Sequence, residues 1–337
     1  MLECSVDFTG QRAVFASRLL SPHLDRPNKP FPAPGLTIAM EIRLLPRDEI
    51  DKVKYNSCVH YANNGNIFGY IWYLDFVAKE WDALVEGDYE SVMPLPRREG
   101  LLGRPELFQP ALMRELGIYS IHVLSPKRVR AFLEAIPASY KKVDLVVNEQ
   151  VDAPDDLGFA VKNEVNHQLL LEPAYEELAE QYSRPLLLGL EKAEQAEVIP
   201  ISNMKPEKLA AFYQKYTPAG GQREQNFHTL QRIMYNVLQR GMGFASGVQS
   251  RDKELLAVNF WMYSHHKVIS LMPVESPAGA KVHALDYLFN MLIRTHAGRP
   301  MILDFNAASP AHFATRFGAR ENFFHRIRRN TKVLGLF

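Results

Sequence analysis

One stretch limits the fold of this chain more than any other: residues 268–319, reading VISLMPVESPAGAKVHALDYLFNMLIRTHAGRPMILDFNAASPAHFATRFGA. Its β-branched and apolar run at 268–274 predicts a strand. The strand stops at a loop holding Ser276, Pro277, Gly279 and Ala280, and Lys281 opens a long amphipathic helix. A second strand is expected at 301–305. Ser309 and Pro310 then supply an N-cap and a first helical residue for a short helix ending at Gly318. Free N–H groups at the start of the longer helix can bind phosphate oxygens, and Gly279 would let a ligand approach the backbone closely.

Length and charge bound what surrounds this unit. At 337 residues, 47% of them apolar, the chain is long for one core, and two domains are expected. A net charge of +1 gives no whole-molecule field toward nucleic acid or anionic lipid, so any polyanion site must be local. Cys4 and Cys58 match neither a zinc pattern nor a disulfide framework, which points to a reducing, cytoplasmic setting with no metal centre. No apolar run approaches the ~20 residues of a membrane span, although a peripheral membrane role stays open.

Residues 1–39 read differently from the rest. Pro22, Pro27, Pro30, Pro32 and Pro34 interrupt them without any helical or strand period, so this segment is expected to be a disordered extension or a miscalled start. From Met40 the pattern is globular. A first domain over 40–180 should alternate strands at 41–45, 82–85, 89–95, 117–124, 143–147 and 166–171 with helices at 48–61, 70–77 and 125–136. A second, over 181–337, should repeat the plan with helices at 206–216 and 225–240 and strands at 243–249, 254–263 and 267–274. Trp81 followed by Met93-Pro94 is echoed by Trp261 followed by Met272-Pro273, and VDLVVN at 143–148 by MILDFN at 301–306, which suggests one duplicated domain. On that alignment the first copy continues as RREGLLGRPELFQP and lacks a helix-opening loop.

Three stretches together resemble the acyl-CoA N-acyltransferase (GNAT-like) fold in its tandem form, as in FemABX-like peptidoglycan-bridge ligases. The first is Tyr175 to Leu178 with Tyr182-Ser183 and Leu190 to Ala193, the segment between the halves. The second is the loop and helix from Ser276, at the position of the family's pyrophosphate loop. The third is Asp304-Phe305 with Phe313 and Arg316-Phe317-Gly318-Ala319, similar to the closing signature. The resemblance implies an α+β (mixed α/β) fold of two tandem domains, each a mixed, mostly antiparallel sheet flanked by helices. It implies N-acyl transfer from acyl-CoA, such as acetyl-CoA, to an amine of a small molecule, peptide or cell-wall precursor. A FemABX-like ligase using aminoacyl-tRNA and a non-catalytic GNAT-like binding protein are the alternatives. The sequence departs from the pattern in three places. Only Arg184 and Lys192 carry positive charge after Tyr182-Ser183, only Gly279 and Ala280 stand for the glycine-rich loop, and Ala314 replaces a tyrosine.

Amine attack on a thioester needs positioning, a proton acceptor and donors to the carbonyl oxygen. Val274, Ser276, Gly279, Ala280 and Lys281 are the expected cofactor-binding residues, with the Val274 N–H aimed at the carbonyl. Glu275 and Asp304, at successive strand ends, are the expected proton acceptors, and a capping role is the competing reading for each. Arg320, Arg326, Arg328, Arg329 and Lys332 would either neutralise phosphates or form a solvated strand face. His265-His266 reads as a hairpin tip. Tyr70, Trp72, Tyr73 and Phe76 read as core packing or as an aromatic wall for substrate.

Overall fold

A computed structural model of the chain describes residues 41–100, 103–217, 221–306 and 311–330. The Pro-rich segment, Ser309, Pro310 and Lys332 lie outside the described residues. The first half runs β1 (Ile42–Pro46), α1 (Lys52–Tyr61), α2 (Ile71–Val77), β2 (Glu80–Glu86), β3 (Ser91–Glu99), β4 (Pro105–Phe108), β5 (Tyr119–Ser120), α3 (Pro126–Glu134), β6 (Lys142–Val147) and β7 (Ala160–Leu170). Helices α4 (Tyr175–Ala179) and α5 (Arg184–Gln195) follow. The second half runs β8 (Ile199–Ile201), α6 (Pro206–Tyr216), α7 (Gly221–Gln239), β9 (Gly243–Gln249), β10 (Leu255–Ser264), β11 (Lys267–Ser270), β12 (Val274–Glu275), α8 (Pro277–Lys281), α9 (Ala284–His296), β13 (Ile302–Asp304), α10 (Ala311–Thr315) and β14 (Arg320–Asn330).

Local chemistry explains most helix starts. Asp51 accepts the N–H groups of Val53 and Lys54 to begin α1, and Ser125 and Ser183 do the same for α3 and α5, each with proline in the first turn. Several elements differ from the sequence reading. The strand expected at 117–124 is only β5, and that expected at 166–171 begins at Ala160. The stretch taken as a loop after Pro96 contains β4, whose four residues between β3 and β6 carry little alternation. The long helix expected from Lys281 is two helices, broken where His283 adopts a left-handed φ of 56°.

The strands form one 14-stranded mixed sheet in the order β1-β2-β3-β4-β6-β14-β7-β13-β11-β10-β9-β8, with β5 on β3 and β12 on β10. Read inward from either edge, the two halves give the same sequence of pairings. Three antiparallel steps lead to one parallel step, β4 with β6 or β11 with β13, and the last position belongs to the other half's final strand. Thus β14 completes the first half and β7 the second. The expected division at 180/181 falls between α4 and α5, and strands are exchanged across it.

This topology corrects the sequence echo. Strand β2 with Trp81 corresponds to β9, whereas Trp261 lies on β10, so the Trp and Met-Pro similarities are offset by one strand. The equivalent of Ser276-Pro277 is Ser125-Pro126. Both serines cap a helix, through Gly279 N and Arg128 N respectively, so a helix-opening Ser-Pro is present in both halves.

Two apolar clusters hold the sheet faces. One joins the first half to α6, α7 and the α7-facing side of β10 and β11. The other packs α5 and α9 against the opposite face, around Trp261, Phe289, Phe305 and Phe317. The β10–β11 hairpin tip, His265-His266, docks against the first half. His265 Nε2 donates to the His60 carbonyl at 3.2 Å, its ring lies near Tyr70, and a Cβ on Gly65 would meet that ring at 2.6 Å.

Burial lowers the pKa of His265, and likewise of His296, whose ring is held by Tyr263 and the Leu292 carbonyl. The native state therefore binds fewer protons than the unfolded chain at these sites. Their stabilising contribution is complete above an ordinary histidine pKa of about 6.5 and is lost as pH falls through the lowered native values. Urea unfolding should show stability declining from pH 7 to pH 5. His265→Asn, which tolerates the left-handed backbone, should lower stability at pH 7 and flatten that decline.

Candidate functional site

Strands β11 and β13 run parallel only from Lys267↔Ile302 to Ile269↔Asp304, after which they part. Beyond that point β11 cannot continue its ladder regularly. Met272 N turns to the Asn259 Oδ1 side chain at 3.0 Å, Asn259 Nδ2 holds Ser270 Oγ, Pro273 has no N–H, and pairing resumes at Val258↔Val274 with the register slipped by one. A bulge of this kind opens a V between two strands. The expected acyl-donor residues surround its mouth.

The structure assigns several of them structural work. Ser276 is buried, its N–H bonds the Leu256 carbonyl, and its Oγ accepts Gly279 N at 3.0 Å. With Ser276 N on Leu256 O, the alternation of antiparallel pairs directs the Val274 N–H at Val258 O, which removes it as a donor to a thioester. Gly279 is buried, and a Cβ there would overlap the Leu256 carbonyl oxygen. The glycine therefore serves the packing of α8 on β10 rather than the approach of a ligand. Ala280 and Lys281 are exposed at the rim.

The two expected proton acceptors are also engaged. Glu275 Oε1 accepts Leu285 N at 2.8 Å and so caps α9, while burial raises its pKa. Asp304 is buried and accepts three donors, Asn166 Nδ2 at 3.0 Å, Gln168 Nε2 at 2.8 Å and Asn306 N at 2.7 Å. It organises the strand end where β11 and β13 separate. Arg316 of the closing signature bonds Asp286 of α9 at 2.7 Å, and its carbonyl accepts Ser183 N, which ties the segment between the halves to the second half.

Two of the terminal arginines are neutralised from neighbouring strands. Arg326 bonds Asp144 and Glu164, Arg328 bonds Asp144, and Arg329 reaches the Ile136 carbonyl over the Phe159 ring, so the phosphate-binding reading of this cluster is not supported. Cys58 is buried with its thiol pushed up to about 12 by burial, which leaves it unreactive.

Sequence reasoning missed a wide concavity. A cleft of about 1140 Å³ lies between α1 and α2 of the first half and the β10–β11 hairpin of the second. Arg47, Lys52, Arg240 and Lys267 line it against a single carboxylate, Asp75, together with Tyr70, Trp72 and Tyr263. Asp75 is bound bidentately by Arg47, and Arg240 lies over Trp72, its guanidinium carbon 5.2 Å from the ring centre. The aromatic stripe thus divides, with Tyr73 in the core and Tyr70 and Trp72 on the cleft wall. Lys267 shares a sheet face with Ile269, beside which Asp304 stands, so the cleft ends two residues along β11 from the vertex of the V. Nothing in the local sequence marks these cations as a group, because they come from four separate segments.

Among the described residues, no group of three or more His, Cys, Asp or Glu is placed to hold a metal ion, and no helix is long and apolar enough to cross a membrane. No protein-family model matches the chain, and no curated protein matches it in sequence. Solved structures share its fold. FemX matches with a TM-score of 0.58 at 12% identity, covering 85% of this chain and 97% of that one. L-PGS from Bacillus licheniformis matches with a TM-score of 0.52 at 12% identity, covering 84% and 93%. A conserved protein of unknown function from Bacteroides thetaiotaomicron matches with a TM-score of 0.54 at 8% identity, covering 86% and 99%.

Because Gly279 contacts backbone rather than open space, Gly279→Ala should destabilise the ligand-free protein by roughly 1–3 kcal/mol through overpacking. Ser276→Ala should cost about 1 kcal/mol as a lost cap. Both are read by denaturant unfolding. A Gly279→Ala protein of unchanged stability would return this glycine to the ligand.

Proposed function

We infer that the chain is a transferase on the GNAT-like fold that it shares with FemX, its own two halves of like topology joined in one sheet. We propose that it is an N-acyltransferase that carries an acyl group from a thioester such as acetyl-CoA to the amine of a phosphate-bearing acceptor. The observation that carries this reading is the basic, aromatic cleft whose floor runs to Lys267, two residues along β11 from the vertex of the V between β11 and β13.

Two ligand routes converge there. The donor's arm would lie between the parted strands β11/β12 and β13, with its charged end toward Ala280 and Lys281 at the rim. The acceptor would occupy the cleft, its phosphate facing Lys52 and Arg240 and its apolar or planar portion against Trp72 and Tyr70. Cations and rings on one wall suit a nucleotide-linked precursor of the kind cell-wall enzymes use. Lys267, whose charge is reinforced by nearby carboxylates despite burial, would put a positive charge beside the oxygen that becomes negative in the tetrahedral intermediate. A FemABX-like ligase taking its acyl group from aminoacyl-tRNA would use the same cleft and vertex. A degenerate binding protein would use the cleft alone. The assignment to a cytoplasmic setting and to two domains, 40–180 and 181–337, belongs to this reading.

Thermal unfolding with acetyl-CoA tests the donor. A ligand bound only to the native state at a hundred times its Kd stabilises by about 2.7 kcal/mol, so a clear rise in Tm is expected. A uridine diphosphate sugar should also raise Tm, and Lys52→Ala or Arg240→Ala should each weaken its binding roughly tenfold, the loss of one charged hydrogen bond. Stabilisation by the sugar nucleotide, with none by any acyl-CoA, would favour the binding protein.

A further inference from the structure

Near Lys267, at the end of the cleft floor, the first half inserts a carboxyl group of which one oxygen takes part in no hydrogen bond. Glu115 follows β4 and is 4% exposed. Its backbone is fixed by the next residue, since Leu116 N bonds the Val146 carbonyl at 2.8 Å and the Leu116 carbonyl accepts Asn148 N at 2.9 Å. Its side chain is oriented by a relay of hydrogen bonds: Tyr119 Oη donates to Asn66 Oδ1 at 3.0 Å, and Asn66 Nδ2 donates to Glu115 Oε1 at 3.2 Å. Oε2 is buried without any partner, as is Oδ1 of Asn166, the residue that holds Asp304. A buried acceptor left without a partner calls for a hydrogen-bond donor. An amine is such a donor.

The charges around Glu115 come from both halves: Lys267 on β11, Asp304 on β13, Glu149 beyond β6, and Arg114 beside it in sequence, with Tyr119 also coupled to it. Asp304 already accepts three donors and Glu275 Oε1 caps α9, so both of these acidic groups carry structural hydrogen bonds of a kind that Glu115 Oε2 lacks.

On the acyltransferase reading above, we propose that Glu115 receives the amino group of the acceptor and takes the proton that must leave it before attack. The acceptor enters as an ammonium ion, and one proton passes to the Glu115 carboxylate, leaving a neutral amine. The nitrogen lone pair attacks the thioester carbon, the C–N bond forms, and the C–S bond breaks. The second proton moves from the new ammonium centre to the departing thiolate. Glu115 returns its proton to solvent through the cleft, so one proton is released per turnover. Burial pushes this carboxyl up to about 8, far better matched to an amine than an ordinary carboxylate.

The test uses O-phosphoethanolamine, which carries both a phosphate for the cleft and a primary amine, with inorganic phosphate as the amine-free control. Infrared titration of the protonated-carboxyl band, wild type minus Glu115→Gln, locates the ionisation of Glu115. Phosphoethanolamine should lower its midpoint by about one unit or more, as a nearby opposite charge does, and phosphate should not. With acetyl-CoA as donor, thiol release in the wild type should rise with pH toward the midpoint. Glu115→Gln should lose that limb and roughly a hundredfold or more in kcat/KM while still binding acetyl-CoA. If Glu115→Gln does not fold, Glu115→Asp serves, and should keep a titrating limb at a displaced pH with a reduced rate. Equal midpoints with phosphoethanolamine and phosphate, or a variant with the wild-type pH profile, overturn the assignment. An amine-dependent shift in a protein that releases no thiol keeps Glu115 as the amine site and overturns the acyltransferase reading instead.

Discussion

The antiparallel ladder between β7 and β14 is the constraint on which the rest of the structure depends. It runs from Arg320↔Gln168 to Arg328↔Ala160, and each of the two strands completes the sheet of the half to which it does not belong in sequence. Separating the halves would expose the backbone groups of β6, β7, β13 and β14 at once, and unpaired buried backbone groups are costly. Arg326 fastens the same seam by bonding Asp144 on β6 and Glu164 on β7. The cleft above it therefore has walls from two halves whose relative placement is set by hydrogen bonds, and the docked His265 tip adds a second point of attachment.

Like topology does not give the halves like sites. In the second half, β11 and β13 part after Ile269↔Asp304, and the Met272-Pro273 bulge keeps the gap open. In the first half the equivalent gap is closed, because Leu116 bonds both the Val146 carbonyl and the Asn148 N–H and bridges to β6. A single V follows from this difference in backbone pairing. The presence or absence of a glycine loop, the feature that the sequence alignment of the two halves turned on, has no part in it.

Much of the architecture was legible because helix caps and alternation are local. Ser125-Pro126, Ser183 to Pro185 and Pro206 mark helix starts that the structure contains, and the strands at 243–249 and 254–263 stand within one residue of their expected limits. Periodicity tells which residues share a face but not which strand lies next to which. The exchange of β7 and β14 was hidden for that reason, and a Trp and Met-Pro echo displaced by one strand passed for an alignment. The site was less legible. Ser276, Gly279, Glu275 and Asp304 stand where motif logic put them, around the V, yet each is consumed by capping, close packing or side-chain hydrogen bonds. The cleft cations are scattered from Arg47 to Lys267, so only the folded chain brings them together.

The same hydrogen bonds account for why a free carboxyl at the vertex comes from the opposite half. A V held open by a bulge has unsatisfied strand ends, and the nearest polar side chains must bind them. Asp304 ties Asn166, Gln168 and the Asn306 N–H, Asn259 replaces a missing ladder partner for Met272, and Glu275 terminates α9. Groups tied in this way are held in place by their partners and keep the strand ends satisfied. Glu115 rests on the closed first-half seam, where Leu116 already satisfies the backbone, so one of its oxygens remains free. Closing one V thus leaves a carboxyl group available to the other, which is a physical reason for two halves of one topology to keep different gaps.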